Sequence, residues 1–177
     1  MKRILFVTII SLLAISFVPM AFCADAVKIG VIDFEKIMKE SSAGKMNQKV
    51  LNTKGTEFKN KLEKEKQALD AIGQSFEKEA LVLSDEKKRE RERDFRNQIE
   101  DFKILQQDYS NELKNLEIKM INDMQKAVFD IANELGKQEK YTLIIEKKNA
   151  GVIYTPDQID ITDRVITKYN AVTAQGN

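Results

Sequence analysis

The residue types that do most side-chain chemistry are scarce in this chain. Among 177 residues there is no histidine and a single cysteine, Cys23. Histidine-dependent triads are therefore excluded, and thiol chemistry has no residue beyond position 23 to use. The 28 carboxylates could act in pairs as general acid and base, but the pattern spreads them over helix faces and draws no two together. Gly44-Lys45 invites a phosphate-loop reading. That loop needs a glycine five residues before Gly44, and Lys39 stands there. The expectation is a protein that is not an enzyme, with no catalytic, cofactor-binding or metal-ligating residues and no nucleotide. The run from Lys87 to Arg93 could touch an anionic surface such as lipopolysaccharide or lipid. Its acids interleave with its bases, as in Lys88 and Glu92, so an exposed helix rich in i,i+4 pairs is the favoured reading.

The elements that carry these side chains are long helices. Leu62, Leu69, Phe76 and Leu83 recur every seven residues, with Leu51, Phe58 and Ile72 in a second series. Phe95, Phe102, Tyr109 and Leu116 repeat the pattern, beside Ile99, Leu113, Met120 and Ala127. Two apolar heptad positions make a seam that needs a partner helix. In an antiparallel hairpin, facing residues have a constant index sum. Leu51 with Leu113, Leu62 with Phe102, Leu69 with Phe95 and Gly55 with Tyr109 all give 164. That register puts the tip at residues 82–84, where Ser84 can cap a helix with Asp85 and Glu86 in its first turn. Arms of roughly 45 residues would extend about 65–70 Å. Gly55 and Gly73 lie inside the first arm, each costing about 1 kcal/mol of helix propensity.

The chain opens with Lys2-Arg3, an apolar run from Ile4 to Val18, then Pro19 and small residues, the pattern of a secretory signal peptide over residues 1–26. Cleavage can fall after Cys23, Ala24 or Ala26. A lipidated Cys23 is the rival, with Phe22 where a lipobox wants a small residue. Losing Lys2 and Arg3 takes the basic count from 29 to 27, against 27 or 28 acids. A nearly neutral protein offers no strong field for nucleic acid, which is not an expected partner.

Beyond the signal, residues 27–34 read as a strand, and Asp33 can cap the segment Glu35–Glu40. Ser41 or Ser42 can start the first arm. From Ile118 to Leu135 the apolar face widens, so the base of the second arm packs on several neighbours. Gly136 reads as a helix stop. Residues 141–146 and 152–154 read as two further strands, and Asp160 or Thr162 caps a helix carrying Ile161, Val165, Ile166 and Tyr169. The fold class is thus α+β: residues 45–135 form the antiparallel helical hairpin, and residues 27–44 and 136–177 a small β body. Three short strands and one helix leave sheet edges open, so oligomerisation is expected to complete the body.

These pieces resemble the Skp/OmpH-like periplasmic chaperones of Gram-negative bacteria. The strand Lys28–Asp33 (KIGVID) and the stretch Tyr141–Ile166, with YTLIIE and DITDRV, carry the resemblance most specifically; the arms match in pattern. It implies a periplasmic homotrimer whose helical tentacles enclose a cavity, and ATP-independent holding of unfolded outer-membrane proteins. The family's best-known member is basic, so binding of lipopolysaccharide or DNA is not carried over to this near-neutral chain. Client-contact candidates are Ile104 and Ile118, opposite the seam, with Leu105 and the tip residues Leu81 and Val82 also outside it. A structural coiled-coil adaptor of an envelope export or assembly complex is the alternative, although about 50 residues of body are few for the extra β domains such adaptors carry.

Overall fold

The computed structural model describes residues 27–175; the signal-peptide reading and its cleavage sites lie outside them. Strand β1 (Ile29–Ile32) is followed by helix α1 (Phe34–Glu40), the long helices α2 (Ser42–Glu79) and α3 (Asp85–Gln138), strand β2 (Leu143–Glu146) and helix α4 (Thr162–Gln175). The strands pair in parallel, from Ile29 with Leu143 to Ile32 with Glu146. The whole hairpin is therefore the crossover between them, as parallel neighbours require a long connection.

Local chemistry starts α1 and α2 where the side chains predict it. The Asp33 carboxylate accepts from the Lys36 amide at 2.9 Å. The buried Ser41 hydroxyl accepts from the Gly44 amide at 3.1 Å and so turns α1 into α2. A side chain at Gly44 would collide with the Met38 carbonyl; Gly44 is there for close approach, not for phosphate. Ser84 stands at the N-cap of α3, but its hydroxyl makes no capping bond.

The core lies at the root of the hairpin. Met124, Val128, Ile131 and Leu135 of α3 pack on Ile32, Ile37, Ile161, Val165 and Tyr169. The widened apolar face is real, though it begins beyond Ile118, which remains exposed.

Three expectations are corrected. First, α3 does not stop at Gly136. It runs to Gln138, and the Tyr141 amide then reaches back to the Gly136 carbonyl at 3.0 Å with Lys140 left-handed at φ 56°. That is a Schellman closure with a lysine in the position glycine usually takes. Gly136 instead faces Ile144 of β2. Second, residues 152–154 form no strand; among the described residues the sheet has two strands. Val31 bonds instead to the backbone of Ile159 and Ile161, at 2.8 and 2.9 Å. Ile153 and Tyr154 are 99% and 80% exposed, because none of the described residues covers them.

Third, the arms are in a different register. Gly55 approaches Leu113, and Gly73 approaches Phe95, both with an index sum of 168. Phe58 stacks on Tyr109, with a sum of 167. Gly55 does not face Tyr109. The displacement is about one helical turn, and its cause is at the tip. After α2 ends, the Leu83 amide still bonds to the Glu79 carbonyl at 3.1 Å. The first arm therefore continues as a helical turn before the chain crosses over.

Candidate interaction surfaces

Because Ser41 and Gly44 fold α1 back beside the hairpin root, an open cleft of about 830 Å³ lies between α1, α2 and α3. Phe34, Met38, Leu51, Met120, Met124 and Phe129 line it. Methionine is unbranched and polarisable, so a wall rich in it adapts to irregular apolar partners. The rim is charged in both signs. Glu35 and Lys39 pair at 2.6 Å across one helical turn. That hydrogen bond, aided by charge, lowers the Glu35 pKa and raises that of Lys39.

A second opening of about 560 Å³ follows the outer side of β2, lined by Ile32, Phe129, Ala132, Leu143 and Ile144. β1 occupies only one edge of β2. Among the described residues no strand pairs with the other edge, and Leu143 and Phe129 are exposed beside it. Phe129 and Glu146 line both openings, which places the two side by side.

A polar cluster fastens the base. Lys28 Nζ donates to the Glu139 backbone carbonyl at 3.1 Å and to its carboxylate at 3.2 Å. Arg164 donates to the same carboxylate and, at 2.9 Å, to the Tyr141 hydroxyl. Lys28 also lies 3.9 Å from the centre of the Tyr141 ring. The cluster joins the chain before β1, the end of α3 and the start of α4.

The expected contact residues are not brought together. Leu81 and Val82, 87% and 86% exposed, stand at the tip. Ile104 and Ile118, 52% and 46% exposed, lie on the outward row of α3. Leu105 is not outside the seam: it is half-buried in a gap with Ala68, Leu69, Ile72 and Phe102. The methionine cleft escaped sequence reasoning; its signal was the clustering of Met and Phe at 34–38 and 120–129. Among the described residues no group of three His, Cys, Asp or Glu side chains could hold a metal. None of the described helices is long and apolar enough to cross a membrane.

Residues 28–169 match the model of the family described as outer membrane protein (OmpH-like). No curated protein matches the sequence. Among solved structures, the fold is similar to that of a Caulobacter crescentus CB15 protein provisionally described as an outer membrane chaperone (OmpH-like). The TM-score is 0.75 at 15% identity, over 81% of this chain and 84% of that one.

Proposed function

This chain belongs to the OmpH-like outer membrane protein family, and on that premise we propose that it is an ATP-independent periplasmic holdase for unfolded outer-membrane proteins. The observation that carries the proposal is the contrast between body and arms. A small packed root projects two long helices whose distal seam is thin and whose surface is charged. Such arms can surround a client and keep it from its neighbours without burying their own grip in a rigid core. The chemistry of the chain offers no nucleotide loop, so client release proceeds by competition with folding or with an insertion machine.

The body, residues 27–44 and 136–177, is the proposed assembly unit of a homotrimer. The unpaired edge of β2 and the projecting Ile153–Tyr154 support this reading. They are an open strand edge and an exposed apolar segment on one molecule, and a head-to-tail contact between them can close into a ring. The test of function is dilution of a urea-unfolded outer-membrane β-barrel into buffer containing the mature protein without ATP. Stoichiometric suppression of light scattering is expected. Unchanged aggregation at a severalfold excess of protein refutes the proposal.

A further inference from the structure

On α3, Ile104, Asn111, Ile118 and Gln125 recur at seven-residue intervals, with Asn115, Asn122 and Phe129 beside them. This spacing places them on one face, opposite the seam. All are exposed except the half-buried Gln125. From Asn111 to Phe129 no charged residue falls on this row, in a chain that is 32% charged; Asp108 interrupts it between Ile104 and Asn111, and Lys114, Lys119 and Lys126 flank it. The corresponding back row of α2, with Thr53, Asn60, Gln67 and Gln74, is also uncharged but holds no large apolar residue. The α3 row alone ends in an apolar basin: Gln125 and Phe129 line the methionine cleft, and Phe129 continues to the free edge of β2.

We infer that this row is a binding track for one extended, uncharged strand segment of an unfolded outer-membrane β-barrel. The inference rests on the holdase reading and names the surface and the feature it recognises. Charge is the first argument. A barrel strand alternates apolar and small polar residues and carries no charge on its lipid face. Laid on a charged helix face it would desolvate ions without pairing them; between Asn111 and Phe129 this row has none to desolvate. Hydrogen bonding is the second. The segment's backbone N–H and C=O groups lack strand partners, and Asn and Gln amides donate and accept at once. Length is the third. From Asn111 to Phe129 the uncharged row spans about 27 Å at 1.5 Å per residue. That accommodates about eight residues of extended strand, most of a membrane-crossing strand of about 10. A second copy of the chain fits less well, because a helix seam wants apolar residues at both heptad positions and four of the seven here are amides.

The test introduces charge on the row in the full mature protein, as Asn111→Lys with Ile118→Lys. The control is Asn60→Lys with Gln67→Lys on the back of α2. The probes are a urea-unfolded eight-stranded barrel and a ten-residue uncharged peptide from one of its strands. Helicity and mass are followed by circular dichroism and light scattering. The expected result is at least tenfold weaker binding of both probes to the α3 variant, with mass and helicity unchanged, and less than twofold change for the control. Equal binding by the α3 variant and the unmodified protein overturns the inference and leaves the holdase reading standing. A changed mass of the α3 variant overturns it too, by making the row a contact between copies. If the unmodified protein binds neither probe, both readings fall.

Discussion

Phe58 and Tyr109 stack with ring centroids 4.1 Å apart and planes within 1° of parallel. Phe58 is the one buried side chain of the arms between Lys45 and Asp123. Lys54 caps the layer, 4.7 Å from the Phe58 ring centre, and reaches Glu112 of the other arm at 3.6 Å. One aromatic layer thus locks the hairpin above its root. Phe58→Ala is expected to cost about 3 kcal/mol, the low end for a buried aromatic because Tyr109 is only half covered. Hydrogen exchange should show the arm amides opening on the order of a hundredfold more often, while the amides of Val128 and Leu135 keep their protection. Equal loss in arms and body would show that the layer is not local.

The two arm glycines should answer differently to alanine. A methyl group at Gly55 meets only Leu113 Cδ1, at 4.0 Å. Gly55→Ala should therefore stabilise the arm by up to about 1 kcal/mol through helix propensity. At Gly73 the added carbon stands 3.2 Å from Phe95 Cζ, so the ring must shift. Gly73→Ala should gain less than half as much. Thermal unfolding of the two variants measures this directly, and the reverse order would mean the register is wrong.

Assembly should depend on the projecting segment. Ile153 and Tyr154 project from the described residues, 99% and 80% exposed, so Ile153→Asp with Tyr154→Asp leaves the core of each subunit untouched. The expected outcome is a folded, helical monomer in sedimentation, against a trimer expected for the unmodified protein. A trimer that survives the double change would move the subunit contact elsewhere.

The base cluster predicts a pH dependence. Burial, the largest single influence on Glu139, pushes its pKa up. The hydrogen bonds and charges of Lys28 and Arg164 together outweigh it and hold the carboxyl below its ordinary value. A depressed carboxylate stabilises the fold above its unfolded pKa and loses that contribution as pH falls through the folded one. Glu139→Gln should therefore lower the urea midpoint at neutral pH. The gap to the unmodified protein should close on acidification through the carboxylate range. A gap independent of pH would make the cluster a packing feature rather than an ionic one.

What the sequence made legible was periodic or local. The heptads of Leu62, Leu69 and Phe76 against Phe95, Phe102 and Tyr109 announce a hairpin, and Asp33 and Ser41 announce their caps. Register was not legible, because a constant sum describes an idealised crossover. The actual one depends on a single extra turn at Glu79–Leu83. The helix end at Lys140 was hidden because a lysine holds the left-handed position. The strand expected at 152–154 has the right residues but no partner among the described residues. The methionine cleft depends on how Gly44 lets α1 fold back, and no periodicity records that.

The corrected register allows body and arms to be separated. Deleting Leu62 through Gln106 leaves Lys61 opposite Gln107, which keeps the index sum of 168 seen at Gly55 and Leu113. A short Gly/Asn turn can join them, since antiparallel helices need only a few residues to connect. The Phe58–Tyr109 layer, the root core and both strands all remain. Oligomer mass should therefore equal that of a trimer of shortened chains. The methionine cleft and the α3 row from Asn111 to Phe129 are also retained, so a ten-residue barrel-strand peptide should bind within a few fold of its affinity for the full protein. Suppression of aggregation should nonetheless fail, because arms cut back to their base no longer separate one whole client from the next. If the shortened trimer protects an unfolded barrel at the full-length stoichiometry, the body is the holding element and the long hairpin has some other task.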